Sequence, residues 1–169
     1  RMAAIKENGM ALKFVDDEHQ TLELCIAAVQ HISIALQHVA EKFRVPEVIL
    51  AAVKNNGQAL QHVLPEQQTY QICMEAVKTN GTAIDYVAKE YLTPELCLTA
   101  AKTNGYAIQY IPKEYRTPEL YLAVVTSRGN ALQLVPKEYR TPEVCLAAVK
   151  QDGYAICRVP KEYRTPELC

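Results

Sequence analysis

The chain has almost no net charge. Its 18 basic and 19 acidic side chains leave a formal charge of −1. Non-specific attraction to nucleic acid or to anionic lipid is therefore not expected. Long apolar runs are also missing. None approaches the ~20 residues needed to cross a bilayer, so no membrane insertion is expected. There is no C-x-x-C pair, and a zinc site is not expected. There is no glycine-rich phosphate loop, because every glycine falls at a helix end, at the same place in a recurring frame. None of the four histidines has a nucleophile at a motif spacing. The composition points away from an enzyme and names no cofactor, although a catalytic domain attached elsewhere would escape this reading.

What is present is a repeat. Residues 93–116 read TPELCLTAAKTNGYAIQYIPKEYR, 117–140 read TPELYLAVVTSRGNALQLVPKEYR, and 141–164 read TPEVCLAAVKQDGYAICRVPKEYR. The frame recurs at one constant spacing, without insertion or deletion. Complete units are 21–44, 45–68, 69–92, 93–116, 117–140 and 141–164, with partial units at 1–20 and 165–169. A fixed period of this length marks a stacked array. The expectation is an all-α fold, an αα-solenoid of 24-residue helix-pair repeats. Neither end carries a polar capping unit, so the chain reads as a piece of a longer array.

Each unit opens with a helix start. In the fourth complete unit Thr93 can cap, Pro94 suits the first turn, and Glu95 faces the positive end of the dipole. Leu96, Cys97, Leu98, Ala100 and Ala101 cover about 200° of the circumference at 100° per residue. Such a helix is expected between two neighbours. Asn104-Gly105 reads as a stop with a left-handed glycine. A second, shorter helix then starts at Tyr106, with Ile108 and Ile111 as anchors, and Pro112 ends it. Alanine recurs at Ala11, Ala35, Ala59, Ala83, Ala107, Ala131 and Ala155, which implies close helix contact.

Unit 21–44 departs most. His31-Ile32-Ser33 replaces Asn-Gly, and Leu22 and Ala40 replace prolines, so merger of its two helices is an open alternative. Five of the six cysteines, Cys25, Cys73, Cys97, Cys145 and Cys169, share the fifth position. Stacked helices lie roughly 8–10 Å apart, whereas a disulfide needs Cα atoms within ~7 Å. Buried free thiols and a reducing compartment are expected.

The frame carried best by residues 141–156, TPEVCLAAVKQDGYAI, resembles the bacterial family known as domain of unknown function 4116. The resemblance runs the length of the chain. It implies a helical repeat found in large proteins of intracellular bacteria, some of them secreted effectors, and it brings no catalytic residues. It implies a cytoplasmic location, or the host cytosol for a secreted effector.

Function is expected where units differ on the surface. The fourteenth position reads Met10, Ile34, Gln58, Thr82, Tyr106, Asn130, Tyr154, and the eighteenth reads Phe14, His38, His62, Tyr86, Tyr110, Leu134, Arg158. On an α-helix these positions, four apart, share a face. Tyr86, Tyr106, Tyr110, His62, His38, Arg158 and Tyr154 form the candidate partner-binding set, since aromatic-rich, charge-poor surfaces suit protein recognition. His38 and His62 are too far apart to share a metal without a third ligand. Rows of lysine, arginine and glutamate read as helix-end charges and exposed ladder pairs. The expected function is a non-catalytic protein-interaction module. A structural spacer with no partner, and single-stranded RNA binding with stacking tyrosines, remain as alternatives.

Overall fold

A computed structural model describes residues 1–165 of the chain. The helix start expected at 166–169, with Cys169, lies outside the described residues. The chain divides into two compact bodies, Arg1–Tyr91 and Leu92–Cys169. The first holds the α-helices α1 (Met2–Glu7), α2 (Leu22–His31), α3 (Pro46–Asn55) and α4 (Tyr70–Thr79). The second holds α5 (Pro94–Thr103), α6 (Pro118–Ser127) and α7 (Pro142–Gln151). Within each body successive α-helices pack side by side, α1 to α4 in the first and α5 to α7 in the second. The described residues contain no strand. The fold is an all-α helical repeat solenoid.

The helix starts follow the sequence. The hydroxyls of Thr21, Thr69, Thr93, Thr117 and Thr141 each accept the backbone N–H three residues on, at 3.2–3.3 Å. Each satisfies a donor that the first turn would otherwise leave unpaired. Proline occupies the first turn of α3, α5, α6 and α7. Asn56 shows how a helix ends. Its φ of −153° takes the chain out of α3, yet its own N–H still reaches the carbonyl of Ala52. Its side chain then accepts from the N–H of Gln58 at 3.0 Å and starts the next element. Asn8, Asn80, Asn104 and Asp152 do the same.

That next element is a 3-10 helix where a second α-helix was expected. The segments are Gly9–Phe14, Ser33–His38, Gly57–His62, Gly81–Tyr86, Gly105–Gln109, Gly129–Leu134 and Gly153–Arg158. A further single 3-10 turn, such as Lys113–Tyr115, closes each unit. The tighter 3-10 turn is frequent in short pieces and connectors, although runs beyond three or four residues are uncommon. Unit 21–44 keeps its elements apart. Ile32, at φ −148° and ψ 116°, interrupts the helix without an asparagine or a glycine.

The glycines are not left-handed, for among the described residues no glycine has a positive φ. Their role is room. A Cβ on Gly57 would stand 2.1 Å from the carbonyl oxygen of Ala76, and one on Gly129 would stand 2.2 Å from that of Ala148. Gly9 and Gly105 face Ala28 and Val124 in the same way, at 2.5 and 2.4 Å. In these four units the backbone of the 3-10 helix thus lies against the α-helix of the following unit. Ser33 holds the glycine position in unit 21–44 and is buried; nothing in the structure explains how its Cβ is accommodated.

The core is built from the same positions in the complete units, save that Val149 and Ile156 of the last are half-buried. In unit 45–68 they are Val48, Ile49, Ala52, Val53, Ala59, Leu60 and Val63, all buried. The fifth-position thiols Cys25, Cys73, Cys97 and Cys145 are buried and free. Burial pushes the Cys73 thiol up to about 12, and those of Cys25 and Cys97 up to about 11. Tyr121 fills this position in α6, with its ring 4.7 Å from that of Tyr139. Cys157 is exposed. A thiol reagent is therefore expected to modify one cysteine of the folded Cys169→Ser chain quickly, with the other four reacting only on denaturation. Rapid labelling of all five in the native chain contradicts this core.

The twenty-fourth position ties units together. Gln20 donates to the carbonyls of Val15 and His38, at 3.2 and 2.9 Å, while its carbonyl oxygen accepts the N–H of Ala40 at 2.8 Å and faces the Cys25 thiol at 3.4 Å. Gln68 repeats this with Val63, Tyr86, Ala88 and Cys73. Arg140 reaches the equivalent carbonyls, donating from Nε to Val135 at 2.8 Å and from Nη1 to Arg158 at 3.1 Å. Arg44 donates to the His62 carbonyl, and Arg116 and Arg164 to those of Ile111 and Val159. The arginine row is thus a backbone clamp, where exposed ladder pairs were expected. Lys78 does pair with a carboxylate, Glu75 at 3.2 Å, but one turn back along its own helix.

Candidate interaction surface

The variable positions lie on the 3-10 helices and the turns that end them. In a 3-10 helix each residue turns about 120°. Residues four apart therefore stand a third of a turn from each other, and residues three apart eclipse. Ideal 3-10 geometry therefore sets the fourteenth and eighteenth positions about 120° apart and brings the fourteenth into register with the seventeenth, where an α-helix would have stacked the fourteenth with the eighteenth. A groove of about 410 Å³ nevertheless draws on all three positions, lined by Asn130, Gln133, Tyr154, Cys157 and Arg158. It brings together Tyr154 and Arg158 from the candidate set. Tyr154 is 87% exposed.

The fourteenth position forms a ladder between neighbouring units. Tyr106 donates its hydroxyl to Asn130 Oδ1 at 3.0 Å, and the Arg128 guanidinium lies 5.0 Å from its ring centre. In the first body Gln58 donates to the Thr82 hydroxyl at 2.8 Å. Tyr106 is half-buried and held, whereas Tyr110 is 45% exposed and Tyr86 is 36% exposed. Tyr86 belongs to the first body, and Tyr106 and Tyr110 to the second.

The two histidines differ. Gln37 Nε2 and His38 Nε2 lie 3.1 Å apart, and His38 borders a polar groove of about 290 Å³ with Lys13, Asp17 and Glu41. His62 is half-buried, and its Nε2 finds no partner in the structure. Burial first, then the positive charge of Arg44 and of His38, pulls its pKa below the ordinary 6.5. A base whose folded pKa is depressed takes up its proton more readily when unfolded. The stability of the first body is therefore expected to be insensitive to His62 above pH 6.5, to fall as pH drops through 6.5, and to level off below the folded pKa. The His62→Gln variant should flatten this slope in chemical denaturation at a series of pH values, and an unchanged slope contradicts the assignment. No group of three or more histidine, cysteine or carboxylate side chains converges on a metal position among the described residues.

The model of a domain of unknown function (DUF4116) matches residues 21–68, 45–92, 69–116, 93–140 and 117–164, in windows that step by one repeat and together span 21–164. The chain belongs to the DUF4116 family. Each match covers two adjacent repeats, the smallest piece that contains a glycine-to-carbonyl contact between one unit and the next. No curated protein and no solved structure matches the chain.

Sequence reasoning found the DUF4116 frame but missed the buried polar clamp of Gln20 and Gln68. A signal for it was present. Where the twenty-fourth residue is glutamine, the twentieth residue of the next unit is alanine, Ala40 or Ala88; where it is Arg116 or Arg140, that residue is Pro136 or Pro160. Alanine offers an N–H that glutamine can accept. Proline has none, and arginine can only donate.

Proposed function

We propose that this DUF4116 array is a non-catalytic protein-interaction module within a larger, effector-type bacterial protein, and that the Tyr/His/Gln row on its 3-10 helices recognises the partner. The observation that carries the reading is a division of labour within each unit. The alanine common to all units and the Leu or Ile after it are buried in all six complete units except for the half-buried Ile156, whereas Tyr86 and Tyr110 remain in solvent. Exposed tyrosines beside uncharged glutamines, Gln109 and Gln133 among them, offer apolar area and hydrogen bonds together, as interface centres do.

The test is parallel affinity capture by the array and by its Tyr86→Ala/Tyr106→Ala/Tyr110→Ala variant, with circular dichroism confirming that both are folded. A protein held by the unaltered array and lost by the variant is the expected result. Equal capture by both overturns the placing of the face. Capture of nothing by either favours a spacer. A nucleic-acid ligand whose binding falls steeply with salt favours the RNA reading.

A further inference from the structure

The flank of the α-helices away from the 3-10 segments carries a second repeated pattern. The third, sixth, seventh and tenth residues of a unit follow the i, i+3, i+4, i+7 spacing of one helical stripe. In α7 they are Glu143, Leu146, Ala147 and Lys150; in α5 they are Glu95, Leu98, Thr99 and Lys102. In these two helices the stripe is acidic at its start, apolar in the middle and basic at its end; in α6 it reads Glu119, Leu122, Ala123 and Thr126. Helix-dipole preference accounts for the charged ends. It does not account for a leucine in the middle that the fold fails to cover. Leu98 and Leu122 are half-exposed and Leu146 is 38% exposed, while the flanking fourth, fifth and eighth residues are buried. Two surface grooves, of about 480 and 380 Å³, open beside Leu122, and Glu119 and Leu122 line both. In the first body α4 keeps an apolar Met74 at the sixth position, but its seventh is Glu75, which pairs with Lys78.

We propose that this face of the second body, α5 to α7, is the interface between two copies of the chain. Two properties single out a second copy as occupant. The first is spacing: the leucines recur once per unit, and another array presents the same recurrence, so every leucine meets an equivalent one. The second is charge. A twofold rotation of a second copy, about an axis that runs across the three helices within the face, sets its helices antiparallel to the first. The acidic rim of each copy then lies over the basic rim of the other, Glu95 against Lys102 and Glu143 against Lys150, with Glu119 against Thr126. The other in-plane twofold, along the helices, would oppose Glu to Glu and Lys to Lys. An apolar centre within a charged, complementary rim has the anatomy of a self-associating surface, and a net charge of −1 imposes little long-range repulsion between copies.

The test is sedimentation velocity on the whole chain over a concentration series, with circular dichroism on every variant. The unaltered chain is expected to pass from monomer to dimer, and Leu122→Glu/Leu146→Glu to remain monomeric. Glu95→Lys/Glu143→Lys and Lys102→Glu/Lys150→Glu should each fail to dimerise alone and should form a heterodimer when mixed. A monomer at every concentration overturns the proposal, as does a dimer indifferent to the charge variants. Open-ended polymers that persist in the leucine variant show association elsewhere and also overturn it. Saturable binding of an unrelated amphipathic helical peptide by an otherwise monomeric chain replaces the second copy with a different partner.

Discussion

Gly129→Ala is expected to lower the melting temperature by about 6–12 °C, on the following grounds of packing and size. The added methyl carbon would stand 2.2 Å from the Ala148 carbonyl oxygen and 2.9 Å from the amide nitrogen of Asp152. These atoms already bond to each other, since the Asp152 N–H donates to the Ala148 carbonyl at 2.9 Å. No flexible side chain can yield. Either the 3-10 helix lifts from α7 or the last turn of α7 opens. Overpacking costs about 1–3 kcal/mol, and a clash against backbone belongs at the upper end. For a chain of this size each kcal/mol shifts the melting temperature by about 2–4 °C. Gly57→Ala should behave alike against Ala76. Gly153→Ala is the internal control. Its Cβ meets nothing within 4 Å, and alanine restricts the unfolded chain, so stability should hold or rise by about 0.4–1 kcal/mol. Thermal melts of the three variants check this. Equal losses at Gly129 and Gly153 would return the glycines to a local backbone role.

The second large effect is a rescue. Gln20→Arg keeps donors for the Val15 and His38 carbonyls but removes the acceptor of the Ala40 N–H and of the Cys25 thiol. A buried donor left without a partner costs about 1–3 kcal/mol. Ala40 is already shaped for proline, with φ −57° and ψ 144°, and Val39 before it is extended at φ −74° and ψ 124°. Ala40→Pro in the Gln20→Arg background removes the orphaned N–H and reproduces the pairing of Arg140 with Pro160. The double variant should therefore regain most of the stability lost by the single one. A double-mutant cycle by chemical denaturation measures this as a coupling of at least about 1 kcal/mol. Additive losses would mean that the two positions do not communicate.

These two sites show what the sequence makes legible. The period, the threonine caps and the buried rows at Val48, Ile49, Ala52 and Val53 follow from spacing along a single short helix, and the structure has them where the pattern places them. The 3-10 helices were hidden because so short a segment cannot distinguish an α turn from the tighter 3-10 turn. That difference sets Tyr154 in register with Cys157, three residues on, and both line one groove with Arg158. The glycine was misread because a helix-stop glycine is a local rule, whereas the carbonyl that demands it lies in the next unit, as Ala148 does for Gly129. The Gln–Ala and Arg–Pro pairing was visible as letters. Its meaning needed the geometry that brings Gln20 and Ala40 within hydrogen-bond reach.

The central claim is that, within each body, a unit is completed by the backbone of the next, in a register of one whole repeat. Deletion of 117–140 joins Arg116 to Thr141 and puts the Ala148 carbonyl where Gly105 now meets Val124. Deletion of 117–128 alone removes α6 and leaves the register broken. Circular dichroism melts of the two deletions decide the matter. The account expects the whole-unit deletion to fold cooperatively with its helical signal intact, and the half-unit deletion to lose it. Equal behaviour of the two deletions would contradict it.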